Sequence, residues 1–112
     1  MADTITSKTE FETKIKSEKK DQLLIFHSEN SNKIRINRYK IIALETAVEN
    51  DEIIEAYTIN LDIVNLEEED KEAYQCGNQV ICCTTIKKGV VMDKKVNPLD
   101  VTLKQMIRDI FV

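Results

Sequence analysis

A chain of 112 residues with 42% hydrophobic side chains can enclose one core, and 1–112 is read as a single domain. The net charge of −4, with 16 Lys and Arg mixed among 20 Asp and Glu, leaves no basic stripe and excludes nucleic acid as the expected partner. No run approaches the roughly 18 apolar residues of a membrane span, so no membrane role is expected.

Met1-Ala2-Asp3-Thr4 has neither the basic nor the apolar region of a secretory signal. The cysteines are Cys76, Cys82 and Cys83, an odd number. Together these features predict reduced thiols in a cytoplasmic compartment. Without Trp and with few other aromatics, the core must be aliphatic.

Ser7-Lys8-Thr9-Glu10 has the form of a capping box. Phe11 and Ile15 follow at i, i+4, which predicts a helix from Ser7 to about Lys19. Leu23-Leu24-Ile25-Phe26 is a continuous apolar run, as expected of a strand buried on both faces. A polar loop, His27 to Lys33, leads into a segment that alternates at Ile34-Arg35-Ile36. From Ile41 the segment is helical, with Ile41, Leu44 and Val48 at i, i+3, i+7. Asn30 to Asn32 offer N-caps, and Asn50-Asp51 ends the run.

Ile53 to Leu61 reads as a strand, with Tyr57, Ile59 and Leu61 on one side and Ile54, Ala56 and Thr58 on the other. Asn65 is a candidate cap for a short helix whose first turn holds the acids Glu67 to Asp70 and whose end is near Cys76-Gly77. Gln79 to Ile86 is a third strand. Lys87-Lys88-Gly89 is a turn, and Val90 to Lys94 pairs back as a hairpin. Asp100 is a plausible cap for the last helix, where Leu103, Met106, Ile107, Ile110 and Phe111 share one face. This order predicts an α/β domain with a central mixed sheet of four or five strands and helices on both faces.

Four segments resemble the thioredoxin family, and the likeness covers nearly the whole chain. Leu23-Leu24-Ile25-Phe26 resembles the central strand before that family's reactive loop. Ile59-Asn60-Leu61-Asp62 is similar to the strand that ends in an Asp. Val80 to Ile86 with Lys87-Lys88-Gly89-Val90-Val91 resembles the strand after the cis-Pro and its hairpin, and Leu103 to Phe111 the closing helix. The resemblance implies a thioredoxin-like fold. It also implies that the Cys-x-x-Cys pair should fall in or beside Asn30 to Lys33, where there is no cysteine. Ser and Asn can neither attack nor resolve a mixed disulfide. By the same resemblance, the family's buried carboxylate falls at Ile25, its active-site Trp at His27 and its cis-Pro at Ile81. A cis bond before Ile81 would cost roughly 2.5–4 kcal/mol, so a trans Val80–Ile81 bond is expected.

The expectation is therefore a degenerate, redox-inactive member, not an enzyme, that binds a protein partner as the inactive domains of disulfide isomerases do. Its partner-binding rim is His27, Asn30, Ser31, Asn32 and Ile81, with the loop near Asp62. No cofactor is expected. The alternative is a single-thiol redox-responsive protein whose candidate reactive thiols are Cys76, Cys82 and Cys83. Against it stands packing of Cys82 and Cys83 as small hydrophobes on opposite faces of a strand. One His and three Cys show no metal-ligand spacing. Ser31 lacks an elbow and a base for nucleophilic work, and Glu67 to Asp70 lacks EF-hand spacing. The expected state is a monomer or a weak homodimer, through a sheet edge or an apolar patch.

Overall fold

The computed structural model describes residues 2–75 and 81–112. The strands are β1 (Ala2–Ile5), β2 (Gln22–His27), β3 (Glu55–Asn60), β4 (Cys82–Lys87) and β5 (Val90–Val96), in the sheet order β1-β3-β2-β4-β5. β1, β3 and β2 run parallel, while β4 and β5 are antiparallel. The helices are α1 (Lys8–Phe11), continued by a π-helical turn (Glu12–Lys16), then α2 (Lys33–Glu49), α3 (Glu68–Tyr74) and α4 (Asp100–Ile110). The sheet is mixed and five-stranded among the described residues, as the sequence pattern predicts.

β2 lies at the centre, between β3 and β4, and Leu23, Leu24, Ile25 and Phe26 are fully buried. Its alternation divides the core in two. Leu23 and Ile25 join Ile36, Tyr39 and Ala43 of α2 and Leu103 and Ile107 of α4. Leu24 and Phe26 join Ile5, Phe11, Ile15 and Ile59 on the other face. There the Phe11 ring lies 6.5 Å from Phe26 and 5.5 Å from Tyr74, edge-on to the latter. Burying each such side chain contributes roughly 1.5–3 kcal/mol. The two sides expected of β3 are observed, with Ala56 in the first cluster and Tyr57 and Ile59 in the second.

Local chemistry explains the boundaries. Ser7 Oγ accepts the Glu10 N–H at 3.1 Å. The Glu10 carboxylate reaches back to the Thr6 N–H at 2.8 Å and to the Thr6 hydroxyl, one residue earlier than a standard capping box. The helix expected to run to Lys19 widens instead into the π turn, which ends at Lys16. β1 is an element that the pattern does not announce. The cap of α3 is Glu67 rather than Asn65, and that of α4 is Leu99 rather than Asp100. The α4 face holds as expected, with Leu103, Met106, Ile107 and Ile110 buried. In the hairpin, Lys88 (φ 49°) and Gly89 (φ 86°) are both left-handed, as the two-residue turn that matches strand twist requires.

α2 is apolar on two faces. Ile36, Tyr39, Ile42, Ala43, Thr46 and Ala47 are buried. Ile34, Ile41 and Val48 are 82%, 46% and 79% exposed. The recurrence of Ile41 and Val48 therefore marks a helix but not its core side.

Candidate functional site

The parallel strands β2 and β3 end together, with His27 opposite Asn60, and the two loops that follow are tied to each other. The Leu61 N–H donates to the His27 carbonyl at 2.8 Å, and the Glu29 N–H donates to Asp62 Oδ2 at 2.7 Å. Asn60 bridges the loops: its Nδ2 donates to Glu29 Oε2 at 3.1 Å, and its Oδ1 accepts the Asp62 N–H at 2.9 Å. Ser28 to Ser31 closes a turn, in which the Ser31 N–H donates to the Ser28 carbonyl at 3.2 Å and Ser31 Oγ accepts the Ser28 N–H at 3.0 Å. The His27 ring places Nδ1 3.0 Å from the Ser28 carbonyl.

Asn32 then starts α2. Its Oδ1 accepts the Ile34 N–H at 2.9 Å and the Arg35 N–H at 3.2 Å. These N–H groups open the helix after the loop in which the resemblance would place a Cys-x-x-Cys pair, and here a neutral side-chain amide caps them. Among the expected rim residues, Asn30 and Asn32 are exposed, while His27 and Ser31 are half-buried. The structure brings these four together with Asp62.

Ile81 stands apart from that exposed rim. Its side chain is 4% exposed and packs in the cluster of Ile36 and Tyr39. Its carbonyl accepts the Asn97 N–H at 2.8 Å. The Val80–Ile81 bond and Cys76 lie outside the described residues. Cys83 is a buried free thiol, and burial pushes its pKa up. Cys82 is fully buried on the opposite face and is held in a disulfide, not reduced as the sequence led us to expect. Among the described residues no cluster of three or more His, Cys, Asp or Glu side chains could hold a metal ion. Among the described residues no helix is long and apolar enough to cross a membrane.

Beside the rim, a cleft of about 330 Å³ opens between α2 and the ends of β1 and β3. His27, Glu29, Lys33, Asn37, Lys40 and Asn60 give it its polar lining. Only His27 of this set belongs to the partner-binding rim expected from the sequence. Lys33, Asn37 and Lys40 recur at i, i+4, i+7, a helical face legible in the sequence once the start of α2 is known.

No protein-family model and no curated protein matches this sequence. Solved structures do match in shape. Plasmodium falciparum thioredoxin is 20% identical, with a TM-score of 0.67 over 96% of this chain and 97% of that one. A reduced Schistosoma mansoni thioredoxin pre-protein is 14% identical, with a TM-score of 0.69 over 97% of each chain. Oxidised thioredoxin O2 from Arabidopsis thaliana is 16% identical, with a TM-score of 0.70 over 96% of this chain and 92% of that one. Strand order, the placement of helices on both faces and these likenesses agree: the chain has the thioredoxin fold.

Proposed function

We propose that this chain is a redox-inactive thioredoxin-fold module that binds a protein partner through the face of His27, Asn30, Ser31 and Asn32. The observation that carries this reading is the Asn32 side chain capping the first turn of α2, in a loop with no cysteine. A thiolate needs those N–H groups to be acidic, and a resolving thiol needs to lie within reach. Neither requirement is met there. What the loop does have is rigidity: three hydrogen bonds join it to the Asn60–Asp62 segment, and a pre-ordered surface loses less entropy on binding. The test pairs two assays. Insulin reduction by dithiothreitol should not be accelerated by the protein. An affinity pull-down should recover a specific partner that the exposed-face variant Asn30→Arg loses. Acceleration of insulin reduction, or equal capture by both forms, would refute this assignment.

A second reading is favoured by the state of Cys82. In it the protein is redox-responsive rather than catalytic. Two electrons and two protons from a dithiol reductant would convert the Cys82 disulfide to two thiols, beside the buried Ile81. Mass spectrometry after alkylation, with and without reductant, checks it. Labelling of Cys82 in unfolded protein without prior reduction would end this reading.

A further inference from the structure

The outer face of α2 carries an apolar line with no cover within the described residues. An α-helix turns about 100° per residue, so seven residues fall about 20° short of two turns. Ile34, Ile41 and Val48 are each seven apart and so lie in one row. Ile41 stands about 160° from the buried Ala43, so the row points away from the sheet. Half-buried Leu44 and exposed Asn37 sit beside it, which completes the a/d spacing of a helix seam, with β-branched residues at every a position. Three large apolar side chains aligned over about 21 Å form a patch, unlike apolar residues scattered singly.

We propose that this row is a self-association surface, on which α2 of a second copy packs antiparallel across Ile41. Charge decides both the occupant and the direction. Arg38 and Glu45 flank the row on its α4 side, one turn either side of Ile41. In an antiparallel two-fold pairing a residue that meets its opposite number also does so in return. With Ile41 at the axis, Arg38 of each copy faces Glu45 of the other, giving two opposite-charge pairs. Ile34 then meets Val48 of the second copy. On the other flank Lys33 faces the end of the opposing helix, and Lys40 meets its own counterpart beside the axis, one like-charge contact against two opposite-charge pairs. A parallel pairing would instead set Lys33 against Arg38 of the second copy twice, cancelling the two Lys40–Glu45 pairs it would form. Glu45 makes no ion pair within its own chain among the described residues, and Arg38 also reaches Asp100 at 3.1 Å. A contact between two helices of this length falls below the roughly 1,200 Å² at the low end of specific interfaces, so the dimer is weak and forms at high concentration.

Sedimentation equilibrium on the full chain, from about 10 μM to 1 mM, tests the proposal. The parent should show a reversible monomer–dimer equilibrium that weakens with salt. Ile41→Glu should be monomeric throughout with an unchanged circular dichroism melt, because the position is on the solvent side. Val48→Lys provides a second apolar test should Ile41→Glu fold poorly. Arg38→Glu and Glu45→Arg should each weaken the dimer about tenfold, and the double variant should return to within about threefold of the parent. A parent that stays monomeric at 1 mM would overturn the proposal. So would a dimer indifferent to the apolar variants, or a charge swap that fails to restore association in a folded protein.

Discussion

Asn32 holds the first turn of α2 through one carboxamide oxygen shared by two backbone N–H groups. Asn32→Ala should cost about 1 kcal/mol, read as a lower urea midpoint at unchanged slope, whereas Asn32→Asp should keep most of the stability. An alanine variant as stable as the parent would show that water caps this helix equally well. Glu10 makes a different kind of residue-scale statement. The Thr6 hydroxyl, then the Thr6 N–H, then Lys14 hold its carboxyl down to about 2 from an ordinary 4.5. A carboxyl depressed in the folded state contributes stability that is present above its unfolded value and is lost as pH falls through its folded value. Glu10→Gln should therefore be less stable than the parent at neutral pH. The gap should close between about pH 4.5 and 2, as followed by thermal melts across that range. A gap that stays constant with pH would mean that Glu10 titrates alike in the folded and the unfolded chain.

At the scale of elements, what the sequence revealed depended on whether local pattern or tertiary pairing decided the outcome. β2 and α4 were legible because each carries one unambiguous apolar pattern, which the core then uses. β1 was not, since four residues, Ala2–Ile5, hold too little periodicity and gain their strand form by pairing with β3. α2 was legible as a helix but not in its orientation, because apolar residues repeat along both its core side and its outer side. The candidate rim was legible as a cysteine-free loop. The burial of Ile81 was not, since it depends on α2 residues distant in sequence, and neither was the Cys82 disulfide, since pairing does not follow from cysteine spacing alone. The β4–β5 turn was read correctly from its Gly, and it supports a prediction of two opposite signs. At Gly89 an added Cβ would meet Lys19 Cδ at 2.8 Å, and although that side chain can move, the left-handed backbone cannot be relieved. Gly89→Ala should lose about 1–2 kcal/mol. Lys88→Asn, at φ 49°, should raise the melting temperature by matching the residue to the same turn. Two shifts of the same sign would show that the turn adopts another geometry in solution.

At the scale of the whole molecule, Cys83 is a built-in reporter of cooperativity. It sits on β4 between Ile25 of β2 and Lys95 of β5, fully buried in the cluster closed by α2 and α4. Burial holds its thiol in the neutral form, and a reagent must also reach it, so native alkylation has to pass through an open state. The observed rate is then the opening equilibrium multiplied by the rate for the exposed thiol, provided reclosing is fast. Two routes lead to that opening. Lifting α4 alone would uncover Cys83 with α2 still capped, while global unfolding would release both helices. Leu103→Ala, which removes a buried α4 side chain, should speed labelling by either route, because such truncations cost about 2–5 kcal/mol. Asn32→Ala separates them. If opening is global, its loss of about 1 kcal/mol should raise the native labelling rate roughly fivefold. If α4 lifts alone, the rate should not move. We expect the fivefold increase, because β2 is shared by both core clusters and couples α2 to α4 through Leu23 and Ile25.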